Sequence, residues 1–138
     1  MKQEWFTSYR LVKSEDITHR ATLFAGRACE WIVEAGVVAA ASLIDPFYLV
    51  CLKVSELRFM HSVVQGDILC LQSSVVYAGR SSVVAYVKVT CKDELMMESF
   101  ITYVKVDDQA KPTPHGIVIE TETEEEKQLQ QRALALPK

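Results

Sequence analysis

The residues of this chain best suited to chemistry are a run of charges in an alanine-rich segment, a short donor-rich glycine turn and a histidine in the preceding loop. Arg27, Glu30 and Glu34 recur at i, i+3 and i+7, so on a helix they share one face. A carboxylate in that position can activate water or attack directly; hydrated or paired with Arg27 it does neither. His19 is a second candidate base, with no partner identifiable around it. Cys29 and a histidine would form a nucleophilic pair on paper, but no spacing supports one. Gly79, Arg80, Ser81 and Ser82 bring a guanidinium, two hydroxyls and turn N–H groups together within four residues. That set suits the phosphates of an anionic ligand, and a plain hairpin turn would use only the glycine. Ala25 and Gly26 lie just before the charged face; small residues there admit a ligand and leave N–H groups free, or simply make a tight turn.

The elements that must hold these groups are legible in outline. Residues 6–12 read as an edge strand and 14–18 as a turn. From Leu23 to Ile44 there is no proline and much alanine, which predicts a long helix stopped by Asp45 and Pro46. Beyond Glu34 this helix carries no charge and should be wrapped by other structure. Residues 47–60, 67–77, 81–91 and 95–106 are rich in Val, Ile, Leu and Tyr and predict four strands. Residues 78–80 and 92–94 have the length of antiparallel hairpin loops, with 65–67 as a further turn. Val83, Ala85, Val87, Val89 and Cys91 alternate onto one face of their strand. Residues 107–115 form a polar loop, after which Thr123 and Glu126 predict a capping box for a final helix with a stripe of Leu129, Ala133 and Leu136. The order implies an α+β domain spanning 1–138, an antiparallel sheet wrapped around a long central helix, with a C-terminal helix.

Composition narrows the function. The chain has 138 residues, enough for one domain that buries roughly two-thirds of its unfolded surface. A net charge of −3 argues against a nucleic-acid partner, which calls for a basic face. Four cysteines without a CxxC pair, and no histidine at ligand spacing, predict buried free thiols and no metal. There is no apolar signal core, and the longest apolar run, 35–44, is about half a membrane span. A cytoplasmic protein with no membrane partner is expected.

Residues 18–36, Thr-His-Arg-Ala-Thr-Leu-Phe-Ala-Gly and onward through Trp-Ile-Val-Glu-Ala-Gly, resemble the signature of hotdog-fold acyl-CoA hydrolases. That signature runs approximately Asn-His-x-Gly-Thr-Leu-Phe-Gly-Gly and then, within the helix, Trp-Met-Asp-Glu-Ala. Residues 57–67 are similar to the family's Phe-x-x-Pro-x-x-x-Gly-Asp stretch, 79–82 to its Gly-Arg-Ser/Thr-Ser turn, and 100–114 to its last core strand and exit loop. The resemblance covers almost the whole chain. It implies a hotdog fold, sheets joined edge to edge in a dimer, often a trimer of dimers making a hexamer, and sites at the dimer interface. The expected function is an acyl-CoA thioesterase that releases free acid and CoA, with the CoA thioester as substrate and no separate cofactor. Gly79 to Ser82 and Gly26 would then hold coenzyme A.

The sequence departs from the pattern where it matters most. Val33 stands in place of the catalytic aspartate, Thr18 where asparagine is common, Ala21 for a glycine and Ser62 for the proline. Valine can neither attack nor accept a proton. The carboxylates left nearby are Glu30, about 60° around the helix from Val33, and Glu34, about 100° away. Thr22 occupies a position where some members carry a polar catalytic partner; capping the helix is the alternative. A CoA-binding protein that has lost its aspartate is therefore the competing function, and a purely structural oligomer a third.

Overall fold

The computed structural model of the chain describes residues 1–137. Its elements are β1 (Phe6–Leu11), α1 (Ala25–Ala41), β2 (Leu49–Phe59), β3 (Ile68–Ala78), β4 (Ser82–Cys91), β5 (Glu94–Lys105) and α2 (Glu124–Leu134). The five strands form one sheet in the order β1-β3-β4-β5-β2, antiparallel throughout, leaving β1 and β2 as edges. All four long strands fall within about two residues of the bounds expected from composition. The β4–β5 hairpin turns on Lys92 and Asp93 alone, with φ of 51° and 65°. Two consecutive left-handed residues give the twist such a hairpin needs, here without glycine.

Helix α1 approaches all five strands. A helix about 10 Å across reaches five strands spaced at about 4.8 Å only if the sheet curves round it. Ile32, Ala35, Ala39 and Ala40 pack on Leu69, Leu71, Val83, Ala85, Val87 and Ile101. The alternation read in β4 points Val83 to Cys91 at this core, as expected. Tyr103 on β5 reaches the helix axis and donates from its hydroxyl to the Val33 carbonyl at 2.6 Å. Gly36 makes this approach possible, since a Cβ there would collide with the hydroxyl.

Three expectations need correction. The helix is shorter than 23–44, because Phe24 is already its N-cap and Leu43 and Ile44 belong to the turn that follows. Nor is it wrapped all round within one chain: Val38 is 51% exposed. The thiols are free, but only Cys91 is buried; Cys29 and Cys70 are half-buried and Cys51 is exposed on the edge strand β2. An edge strand lacks a neighbour to cover it, and composition cannot show which strand is the edge.

The opposite face of the sheet is covered by α2. Its capping box forms, with Thr123 Oγ1 accepting from Glu126 N–H at 3.1 Å and Glu126 Oε1 accepting from Thr123 N–H at 2.8 Å. Leu129 and Ala133 bury against Val76, Val84, Tyr86 and Phe100, with Leu136 packed beside them. Buried Glu98 accepts from the Tyr86 hydroxyl at 2.7 Å and pairs with Arg132 of α2 at 3.3 Å.

Candidate active site

The approach to α1 is set by a turn. Thr18 N–H donates to the Thr22 carbonyl at 2.7 Å, and Ala21 N–H to the Thr18 carbonyl at 3.0 Å. Ala21 consequently sits at φ 63°, where glycine carries no steric penalty and alanine does. Phe24 N–H then donates to the carbonyl of Asp16 at 2.8 Å. Asp16 is buried, accepts from Lys13 N–H at 2.9 Å and faces Arg27 Nε at 3.6 Å, so Arg27 braces the start of the helix.

The first bonds of the helix run from Arg27 and Ala28 N–H to the Phe24 carbonyl, both at 3.0 Å. The N–H groups of Ala25 and Gly26 find no acceptor among the described residues. Ala25 opens on a cleft of about 300 Å³, shared with Thr22, Phe59, His61, Ser62 and Met97. Thr22 is no cap, because the N-cap is Phe24; it lines the cleft, with its hydroxyl 3.5 Å from that of Thr18. A Cβ on Gly26 would come within 2.6 Å of the Phe24 ring, so this glycine is what lets the ring fold over the helix start.

Glu30 and Glu34 are kept apart from this cleft. Glu34 is bound at 2.6 Å by Arg10 of β1, and Glu30 is a solvated carboxylate 4.0 Å from Arg27. The face they share turns away from β2. Cys29, Val33 and Val37 make the neighbouring half-buried stripe. Cys51 of β2 is the register partner of Tyr103, whose side chain meets α1 at Val33, so its thiol points to the same stripe. Although Cys51 is exposed as a residue, partial desolvation of its thiol against the helix stripe, and after it the nearby Cys29, pushes that thiol above its ordinary value. Burial likewise raises the Tyr103 hydroxyl, which stays protonated and able to donate. His19 lies exposed in its loop, and no ion pair engages it among the described residues.

At the far end of the helix, the predicted turn is fastened by its backbone. Gly79 N–H donates to the Ser82 carbonyl at 2.9 Å, Lys105 N–H to that of Ser81 at 2.8 Å, and His115 N–H to that of Arg80 at 3.2 Å. His115 adds a ring contact at 2.9 Å from Nε2 to the Ser82 carbonyl, while Nδ1 accepts from Ile117 N–H at 2.9 Å. Facing a carbonyl, Nε2 must carry the proton. Arg80 is exposed, with no carboxylate partner among the described residues. Beside the turn opens a second cleft of about 490 Å³, reached by Tyr48, Lys105, Thr113 and His115. The two clefts lie at opposite ends of α1, roughly 25 Å apart for 17 residues.

Sequence reasoning missed one pair altogether. His61, in the first cleft, has its Nε2 3.1 Å from Glu94 Oε1, at the start of β5. Nothing local marks the pair, because the partners meet only when Phe59 and Met97 come into register between β2 and β5.

Residues 21–98 match the model of the thioesterase superfamily. An uncharacterised acyl-CoA thioester hydrolase of Bacillus subtilis is 33% identical over 125 residues, covering 86% of this chain and 72% of that protein. A hexameric acyl-CoA thioesterase solved without ligand superposes with a TM-score of 0.85 at 33% identity, over 95% of this chain and 86% of that one. An acyl-CoA hydrolase of Staphylococcus aureus, solved with butyryl coenzyme A, coenzyme A and coenzyme A disulfide, gives a TM-score of 0.82 at 28% identity, over 94% and 79%. Alanine variants of that hydrolase replace an asparagine and an aspartate fifteen positions apart, the same interval as Thr18 to Val33 here.

Proposed function

The chain belongs to the thioesterase superfamily, and from that membership we propose that it is an acyl-CoA thioesterase, hydrolysing an acyl-CoA to free acid and CoA. The observation that carries the reading is the open cleft lined by Ala25 at the start of α1, where the N–H groups of Ala25 and the adjoining Gly26 have no acceptor among the described residues. Two such donors at a helix N-terminus suit the oxyanion that forms when water adds to a thioester carbonyl. Thr22, which lines the same cleft, is the side chain we assign to hydrogen-bond the same group. Acid–base hydrolysis of this kind calls for no cofactor beyond the substrate.

The turn from Gly79 to Ser82 serves as the phosphate anchor, with Arg80 as its free cation. Because anchor and cleft lie at opposite ends of one helix, we assign each site to two copies of the chain. Val50, Leu52, Val54 and Phe59 are exposed along the edge strand β2, and an apolar edge of this kind requires a partner. Antiparallel pairing of two β2 strands sets one copy's Phe59 end, with its cleft, beside the other's Tyr48 end, with its anchor. It also covers the stripe of Cys29, Val33 and Val37. A hexamer made as a trimer of such dimers is the proposed assembly, supported by a relative described as hexameric, in the cytoplasm and without nucleic acid or membrane. Steady-state hydrolysis over short and long acyl-CoAs, with released thiol as the readout, tests the activity. A protein that binds CoA but turns over none of them would refute it, and a monodisperse monomer in light scattering would refute the shared site.

A further inference from the structure

The missing aspartate leaves the proposed reaction without a base, and the cleft contains a candidate that no motif of the sequence marks. We infer that His61 is the general base of this thioesterase and that Glu94 is its positioning residue. The inference rests on the thioesterase reading and specifies how that site works.

His61 lines the same cleft as Ala25 and Thr22, at the start of the helix. Its Nε2 lies 3.1 Å from Glu94 Oε1, a charge contact between two side chains that are each about half exposed (53% and 59%) rather than an aligned hydrogen bond. A carboxylate this close to Nε2 favours the tautomer with its proton there, which leaves Nδ1 with its lone pair to face the water. The backbone supports the ring: Met60 N–H donates to the Met96 carbonyl at 2.8 Å and His61 N–H to the same oxygen at 3.4 Å. Glu94 is held by the two-residue turn at Lys92 and Asp93. The other candidate bases are disposed elsewhere, with Glu34 on Arg10, Glu30 in solvent beside Arg27, and His115 using both ring nitrogens on backbone groups.

In the step this permits, water in the cleft gives a proton to His61 Nδ1 as its oxygen bonds to the thioester carbonyl carbon. The carbonyl π pair moves to oxygen, where the Ala25 and Gly26 N–H groups receive it. When the carbonyl re-forms, the carbon–sulfur bond breaks, and the departing CoA thiolate takes the proton back from the imidazolium. Water is consumed; a carboxylic acid and CoA thiol are released.

The test is acyl-CoA hydrolysis by the whole protein with His61→Ala, His61→Gln and Glu94→Gln. Loss of a general base lowers kcat by roughly 10²–10⁴-fold, and both His61 variants should show it with KM and CoA affinity little changed. Glu94→Gln should cost less. Added imidazole should restore part of the rate to His61→Ala and none to wild type, which a purely structural histidine would not do. His61→Gln keeps a polar side chain of similar reach, so a fold defect confined to the alanine variant does not decide the matter. A wild type that hydrolyses acyl-CoA while both His61 variants keep kcat within about threefold overturns the assignment, as does a loss that imidazole leaves untouched. A wild type with no turnover overturns the thioesterase reading and this inference together.

Discussion

The two ends of the central helix are built on different plans. At its C-terminal side, the proposed anchor is one contiguous turn whose backbone is fixed by three backbone hydrogen bonds and the His115 ring. At its N-terminal side, the cleft is assembled from the 18–24 turn, the end of β2 and the start of β5, and it carries most of the departures from the family pattern. Val33, Thr18, Ala21 and Ser62 all belong to that half or to the stripe that the proposed dimer sets against a second copy's cleft. Binding can be encoded by a few neighbouring residues, because phosphate recognition needs only donors at short range. Catalysis needs groups aligned across segments, so it can be rebuilt with different side chains while the scaffold stays the same.

The sharpest way to break this contrast is to return a carboxylate to the stripe. Val33 lies about 12 Å along the helix from Ala25, too far to serve its own cleft but facing the proposed dimer edge. Val33→Asp, introduced into the His61→Ala protein, should raise kcat by roughly 10²-fold or more, the contribution of a general base. If kcat stays flat in a dimeric, folded double variant, the stripe does not face a partner's cleft.

A smaller effect is expected at the anchor. Arg80→Ala should weaken CoA binding roughly ten- to hundredfold, on the scale of charge-assisted hydrogen bonds, and leave the fold intact because the turn is held by its backbone. Calorimetric titration measures it, and an unchanged affinity would reduce Gly79 to Ser82 to an ordinary hairpin turn.

Smaller again is the strain before the helix. With φ at 63°, Ala21 is penalised relative to glycine, so Ala21→Gly should stabilise the protein by up to about 1 kcal/mol in reversible denaturation. A destabilised variant would mean that the 18–22 turn relies on the alanine side chain. The smallest expected effect is that of Glu30→Gln and Glu34→Gln. Both carboxylates are largely exposed and lie outside the cleft, so hydrolysis should stay within about threefold of wild type. A large loss from either would put the working carboxylate back on α1 and remove the need for His61.

Within this molecule, the sequence was sufficient wherever the relevant interactions are local. Strand bounds, the Thr123–Glu126 cap, the side of β4 that faces the core and the hairpin turn between β3 and β4 each depend on residues a few positions apart, where periodicity and turn chemistry act directly. Tertiary structure decided what depends on distant segments meeting. It placed β2 at the edge and so exposed Cys51. It seated Tyr103 on the Val33 carbonyl through the gap left by Gly36, tied Glu34 to Arg10, and brought Glu94 to His61. A side chain's type fixes what chemistry it can perform; only the pairing of strands fixes what it faces, and a one-residue change of register would turn each of these groups to the other side of the sheet.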